Sequence, residues 1–137
     1  MKTRIWLVLL AGLGLTTSFA SAQVIVANPA VKVSEISKVD LASIFTGAST
    51  NFKDGSRAVP AVLKGGATHE SFLSKYLDKN DAAFRATWRS VLFAGKGTMP
   101  KAFDSEAALI DYVAATSGAI GYVSGEPPGK VKVLAVK

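Results

Sequence analysis

The residues best suited to chemistry lie where a short apolar run meets two adjacent glycines and a threonine. Residues 63–68 read Leu-Lys-Gly-Gly-Ala-Thr, between a run typical of a strand and one typical of a helix. The first backbone N–H groups of a helix lack intrahelical partners and can bind an anion. The glycines admit an anion close to the backbone, and Thr68 adds a hydroxyl. The predicted anion-binding residues are Gly65, Gly66, Ala67 and Thr68, with Arg57 and Lys64 supplying charge. The alternative is an ordinary turn capped by Thr68.

Other chemical candidates are weak. The sequence contains one histidine, His69, and no cysteine, whereas a zinc site needs three or four ligands. His69 and Glu70 would point about 100° apart on a helix, so we expect His69 to face solvent rather than to act in catalysis. Residues 95–98, Gly-Lys-Gly-Thr, lack the earlier glycine and the Lys-Ser/Thr pair of a phosphate loop. We therefore predict a binding protein, not an enzyme, with no metal and no cofactor.

The N-terminal residues have the features of an export signal. Lys2 and Arg4 precede an apolar run over residues 5–15, and residues 20–22 are Ala-Ser-Ala. The run is shorter than the roughly 20 residues that span a bilayer, which disfavours the alternative of a membrane anchor. We predict a signal peptide over 1–22, a single mature domain over 23–137, and a periplasmic location.

The charge of the predicted mature domain is mildly positive. Residues 1–22 hold two of the 16 basic residues and none of the 10 acidic ones, which leaves a net charge of +4. Such an excess suits a small anion or an anionic envelope surface. The basic residues are scattered rather than clustered, so we predict no nucleic-acid partner.

The elements that must position these residues alternate along the chain. Apolar runs predict strands over 23–27, 58–63, 119–124 and 131–136, with Pro60 indicating an edge strand or a bulge. Helices are predicted to begin near Ser37, Thr68, Asn80 or Asp81, and Asp104-Ser105. Their apolar stripes place Phe45, Phe72, Trp88 and Ile120 at the centre of the core, and put Val91 and Leu92 on the buried face of the third helix. The order β-α-β-α-α-α-β-β predicts an α/β fold with a mixed β-sheet flanked by helices.

Three segments carry a resemblance to a known family. They are IFTGASTNFKDGS over 44–56, VPAVLKGGATHESF over 59–72, and GAIGYV over 118–123. In this order they resemble the phosphate-binding PstS-like substrate-binding proteins of ABC transporters, in the type II periplasmic binding protein superfamily, with Phe52 where that family usually has Trp. The resemblance implies a single-lobe, periplasmic-binding-protein-like domain whose ligand is phosphate or another small oxyanion.

The chain departs from the family at the turn itself. The family has Gly-Ser-Gly-Thr, preceded by an Arg; here Gly66, Ala67 and Val62 stand at the Ser, second Gly and Arg positions, and Thr68 alone is retained. The chain also resembles only one of the two lobes that close on the anion. The resemblance therefore implies weak binding, and it leaves open whether two copies pair to form a two-lobed cleft.

Two functions follow from these expectations. The first is a periplasmic solute-binding-like protein associated with phosphate ABC transport, whose partner is a membrane transporter. The alternative is an envelope interaction module derived from one lobe of a binding protein, which contacts a protein partner through its positive charge and a face carrying Trp88 and Phe93.

Overall fold

The computed structural model describes residues 23–137, so the predicted signal peptide lies outside the described residues. Six strands form one mixed sheet: β1 Val24–Ala27, β2 Glu35–Ile36, β3 Val59–Leu63, β4 Lys101–Phe103, β5 Ala119–Val123 and β6 Lys132–Val136. Across the sheet they lie in the order β2-β6-β1-β5-β3-β4. The helices are α1 Lys38–Phe45, α2 Ala67–Phe72, α3 Asp81–Phe93 and α4 Glu106–Ala115, and α2 continues directly into a π-helical segment, Leu73–Leu77. The predicted α/β class with a mixed sheet and flanking helices is confirmed.

Three helices begin where the sequence predicts. The side chains of Ser37, Asn80 and Ser105 each accept a hydrogen bond from the backbone N–H three residues later, at 3.0, 2.8 and 3.1 Å. These bonds satisfy donors that have no partner inside the helix. The fourth expectation is wrong, because α2 is capped by Gly66, which has no side chain, and Thr68 lies inside the helix.

The sheet joins distant parts of the chain. β1 pairs antiparallel with both β5 and β6, while β3 runs parallel to β5 on one side and to β4 on the other. β3 is therefore not an edge strand, which is one of the two possibilities that Pro60 indicates. The β4 pairing covers only residues 61–63, so at Pro60 itself the strand is paired with β5 alone, which explains how a residue without an N–H is accommodated.

Two strands of the structure, β2 and β4, are not predicted from the sequence. β2 has two residues and β4 has three, and Lys101 and Ala102 of β4 are both exposed. Such short segments carry no detectable alternation of apolar and polar residues, so the sequence gives no signal for them.

The core lies between the sheet and the helices, and its predicted centre is confirmed. Phe45, Phe72 and Ile120 are fully buried, and Trp88 is 4% exposed. The prediction that Leu92 lies on the buried face of α3 is wrong, because Leu92 is 41% exposed. The apolar face of α3 narrows towards its end, where Val91 is half-buried and Leu92, about 100° further round the helix, points away from the core.

One glycine is required by a close backbone contact. Gly118 has φ +78°, and a Cβ built there would lie 2.3 Å from the carbonyl oxygen of Arg57. Its own carbonyl accepts from the N–H of Val59 at 2.9 Å, which aligns β3 with β5. Within residues 23–137, none of the helices combines the length and the apolar character needed to cross a membrane.

Candidate anion-binding site

The glycine turn (residues 65–68) joins the carboxyl end of β3 to α2. Gly66 adopts φ +96°, a conformation that residues with side chains rarely adopt. A Cβ built at Gly65 or Gly66 would meet nothing within 4 Å, and both residues are exposed. The backbone of the turn is therefore open to a small molecule from solvent.

The amides at the start of α2 are available to a ligand. The first bond of the helix runs from the N–H of Glu70 to the carbonyl of Gly66 at 3.0 Å, so the N–H groups of Ala67, Thr68 and His69 precede the first intrahelical partner. Gly66 provides no capping side chain, and Thr68, half-buried in the same turn, adds a hydroxyl. This arrangement of donors can bind an oxyanion.

The basic residues near the turn are Lys64 and Arg85, whereas the sequence predicts Lys64 and Arg57. The ammonium of Lys64 lies beside the turn but forms an ion pair with Asp104 at 3.3 Å. Arg57 is not brought to the turn: it precedes β3, whose five residues span roughly 16 Å. Arg85, which sequence reasoning missed, places a guanidinium nitrogen 3.5 Å from the carbonyl oxygen of Lys64.

The prediction that His69 faces solvent is wrong, because the structure places its side chain in the interior. It is 1% exposed and lies directly behind the glycine turn. Its Nδ1 is 2.5 Å from the hydroxyl of Tyr122 on β5, and its Nε2 is 2.9 Å from a carboxylate oxygen of Asp81 on α3. Both ring nitrogens are occupied, so the histidine links three elements beneath the candidate site.

The proton positions in this network follow from the electrostatics. Burial raises the pKa of Tyr122 above its ordinary value, so the phenol stays protonated and can donate to Nδ1 of His69. The Asp81 carboxylate can only accept a hydrogen bond, so Nε2 of His69 donates to it. That hydrogen bond, together with Arg85, whose Nε lies 2.8 Å from Asp81, holds the pKa of the Asp81 carboxyl below its usual value.

The network fixes the geometry of the turn. The Tyr122 hydroxyl accepts from the N–H of Leu63, the last residue of β3, at 3.0 Å. The end of β3 and the first turn of α2 are thus tied to the same phenol. The only part of this network with a signal in the sequence is the i,i+4 spacing of Asp81 and Arg85, which is typical of a helical ion pair.

The described residues offer no cluster of side chains suited to a metal. Within 23–137, no group of three or more His, Asp or Glu residues lies close enough together to hold an ion. The chemistry available at the glycine turn is hydrogen bonding from backbone amides and a hydroxyl, with positive charge nearby.

Comparison with known proteins identifies solved structures that share this fold. No protein-family model matches the sequence, and no curated protein matches it significantly. The chain is similar in structure to an ABC-type phosphate transport receptor from Vibrio cholerae, with a TM-score of 0.64 and 20% identity over 83% of this chain and 45% of that one. It is similar to PstS from Borrelia burgdorferi, with a TM-score of 0.62 and 17% identity over 85% of this chain and 47% of that one.

A third similar structure was solved with a bound ligand. It is a Clostridium perfringens protein described as a phosphate ABC transporter substrate-binding protein with bound phosphate, with a TM-score of 0.64 and 20% identity. It matches 83% of this chain and 44% of its own length, so the present chain spans less than half of each of these proteins. At this identity the likeness shows the fold alone: the chain has the mixed α/β fold of a single lobe of a periplasmic binding protein.

Proposed function

We propose that this protein is a periplasmic solute-binding-like protein of the PstS type, which binds phosphate or another small oxyanion at the glycine turn and works with a phosphate ABC transporter. In this proposal residues 1–22 are a cleaved signal peptide and residues 23–137 are the mature binding domain. The protein binds its ligand and performs no reaction.

The observation that carries the proposal is the open start of α2. Gly66 leaves the first amides of the helix uncapped, and the space around Gly65 and Gly66 is empty. An oxyanion placed there would accept from the amides of Gly66, Ala67 and Thr68 and from the Thr68 hydroxyl. The continuation of α2 into the π-helical segment extends the row of aligned peptide dipoles behind the turn.

The similar structures support the same ligand class. Two are described as phosphate transport proteins of the ABC type, and one of these holds phosphate. Two observations support the same ligand class for this chain. The chain shares the fold of these proteins, and its α2 begins without a cap at the carboxyl end of the parallel strand β3. Open α/β sheets commonly bind ligands at that end of their strands.

The charges around the turn favour weak binding. Lys64 is paired with Asp104, and Glu70 places a carboxylate in the first turn of α2. A single open lobe leaves the anion in contact with water, which screens its interactions. We expect a Kd on the order of millimolar that rises with ionic strength, well above the values of closed, dehydrated anion sites.

Titration of the isotopically labelled protein by NMR tests the proposal. Inorganic phosphate and sulfate should shift the amides of residues 65–69, and the shifts should saturate at millimolar concentrations. Thr68→Val should weaken binding, because it removes the hydroxyl donor and keeps the shape of the side chain. Thr87→Val is the matched control, since the Thr87 hydroxyl is bonded within α3 to Ala83. If neither anion shifts any amide in this segment, the proposal fails.

One observation favours the alternative, an envelope interaction module. Phe93, at the end of α3, is 93% exposed, and Leu92 beside it is 41% exposed. Trp88 is only 4% exposed, so the exposed apolar surface at this end of α3 belongs to Phe93 and Leu92, and the sequence-based expectation that Trp88 shares it is wrong. In this alternative Phe93→Ala would abolish capture of an envelope partner while leaving the phosphate titration unchanged.

A further inference from the structure

We propose that a cavity at the opposite end of β3 from the glycine turn is a second binding site, which takes a small organic anion: a carboxylate or phosphate group attached to an apolar body. This basic cavity has a volume of about 190 Å³ and is lined by the end of α1, the residues that open β3, one face of α3 and the segment 96–101. The residues that carry the argument are Arg57, Lys96, Lys101, Trp88, Val91 and Met99.

The first observation is unneutralised positive charge. Arg57, Lys96 and Lys101 all line the basic cavity, and no acidic residue does. The ion pairs found among residues 23–137 involve other basic residues, so these three have no carboxylate partner. The ammonium of Lys101 instead lies 5.3 Å from the centre of the Tyr112 ring. Three basic residues that line one concave surface, with no acidic residue in the same lining, favour an anionic ligand.

The second observation is an apolar wall that is already in place. Trp88 and Val91 of α3 and Met99 of the facing segment line the basic cavity. The indole N–H of Trp88 donates to the carbonyl of Phe45 at 2.9 Å, which fixes the plane of the ring. A Cβ at Gly47 would lie 3.2 Å from that ring, so the glycine allows the loop after α1 to pack against it. An apolar wall beside basic residues favours a ligand that carries an apolar group as well as a negative charge.

The third observation concerns polar groups and size. Thr50 and Thr98 line the same cavity and supply hydroxyls that can donate to an anionic head group. The volume of about 190 Å³ is below the roughly 300–1,000 Å³ of pockets for drug-sized molecules. A ligand built on a single ring or a short branched chain fits these dimensions.

Sequence alone gives no sign of this site, because its three cations come from separate segments. Arg57 precedes β3, Lys96 follows α3, and Lys101 begins β4. The parallel pairing of β3 with β4 places Lys101 opposite Ala61, close to the start of β3 that follows Arg57. The basic cavity shares no lining residue with the glycine turn, so the two proposals stand or fall separately.

NMR titration with phenyl phosphate and with benzoate tests the second site. At least one of these probes should shift the indole N–H of Trp88 and the amides of residues 96–101. Arg57→Gln should raise the Kd about tenfold, the effect expected for losing one charged contact. Lys96→Ala, in an exposed loop where folding is not at risk, should also weaken binding. Arg89→Gln is the matched control, because Arg89 is exposed on α3 and does not line the basic cavity.

Two further probes distinguish the contribution of the anionic head group to binding from that of the apolar body. Benzyl alcohol has the ring without the charge, and inorganic phosphate has the charge without the ring; both should bind at least about tenfold more weakly than the better organic anion. The proposal is overturned if neither organic anion shifts these signals at millimolar concentration, if Arg57→Gln and Arg89→Gln behave alike, or if either single-feature probe binds equally well.

Discussion

The hydroxyl of Tyr122 lies 2.5 Å from Nδ1 of His69 and also accepts the N–H of Leu63, so one phenol on β5 ties the end of β3 to the start of α2. The candidate anion site is the short segment between these two anchored points. Its shape therefore depends on buried residues that never touch the ligand.

Tyr122→Phe tests this dependence. Removing the hydroxyl leaves the N–H of Leu63 and a nitrogen of His69 buried without partners, which should lower the free energy of unfolding by about 1–3 kcal/mol in urea denaturation. Tyr112→Phe is the control: Tyr112 is half-buried and its hydroxyl makes no hydrogen bond within residues 23–137, so the expected change is within about 0.5 kcal/mol. Equal effects of the two substitutions would contradict the structural role of the network.

Asp81 makes the stability of the protein sensitive to acid. Its pKa lies below the ordinary value of 3.8, chiefly because of the hydrogen bond from His69 and also because of Arg85. A carboxyl with a depressed folded-state pKa stabilises the protein fully above its ordinary pKa, and this contribution is lost as the pH falls through the folded-state value.

The comparison of wild type with Asp81→Asn measures that contribution. The difference in unfolding free energy should shrink as the pH falls below about 4, because the wild-type carboxyl becomes protonated. Urea denaturation at a series of pH values gives this difference directly. A difference that stays constant down to pH 3 would mean that the Asp81 carboxyl is not coupled to folding.

Phe72→Ala tests the centre of the core. The Phe72 ring stacks on Tyr122 with centroids 3.9 Å apart and planes 9° apart, and meets Phe45 edge-on at 4.9 Å. Truncating such a ring should cost about 3–5 kcal/mol in thermal or chemical unfolding. Phe93→Ala, which removes a ring that is 93% exposed, should cost less than about 0.5 kcal/mol. A loss below about 1 kcal/mol for Phe72→Ala would place that ring outside the core.

Gly118→Ala tests the contact that aligns β3 with β5. The added methyl group would lie 2.3 Å from the carbonyl oxygen of Arg57, and φ +78° disfavours any residue with a Cβ. We expect destabilisation of more than about 1 kcal/mol by urea denaturation. Gly129→Ala is the control, because a Cβ there meets nothing within 4 Å. Similar stability of the two variants would show that the backbone at Gly118 can shift freely.

Mass spectrometry of the exported protein tests the signal peptide. We predict cleavage after Ala22, so the mature protein should begin at Gln23. A small-x-small sequence at residues 20–22 after an apolar run is the pattern that signal peptidase recognises. Recovery of the protein from membranes with residues 1–22 still attached would contradict this prediction and favour a membrane anchor.

The sequence predicts those features that depend on local chemistry. Ser37, Asn80 and Ser105 cap their helices as expected, since a cap is defined by residues within one turn. The periodicity that buries Phe72 and Trp88 is likewise local. The prediction of Thr68 as a cap is wrong because Gly66 and Thr68 are both acceptable in that position, and the backbone conformation at Gly66 decides between them.

The features that escape prediction depend on contacts between distant segments. The burial of His69 follows from its position against Tyr122 on β5 and Asp81 on α3, which no spacing along the chain reveals. Arg57 and Lys64 are close in sequence, but an extended strand separates them in space, so only Lys64 lies near the turn. Residues at the two ends of an extended strand lie far apart in space although they are close in sequence. For this reason the sequence does not show which basic residues lie near the candidate site.

The pairing of β1 also determines when the protein can fold. β1 lies between β5 and β6, so Ile25 must find Tyr122 and Leu134, about a hundred residues later in the chain, before the middle of the sheet exists. A chain emerging from the ribosome therefore holds the apolar segment Val24–Ala27 unpaired until almost all of the sequence is present. Contacts of such long sequence separation slow folding and prolong the exposure of an unpaired strand, so this protein should need protection from aggregation during its synthesis.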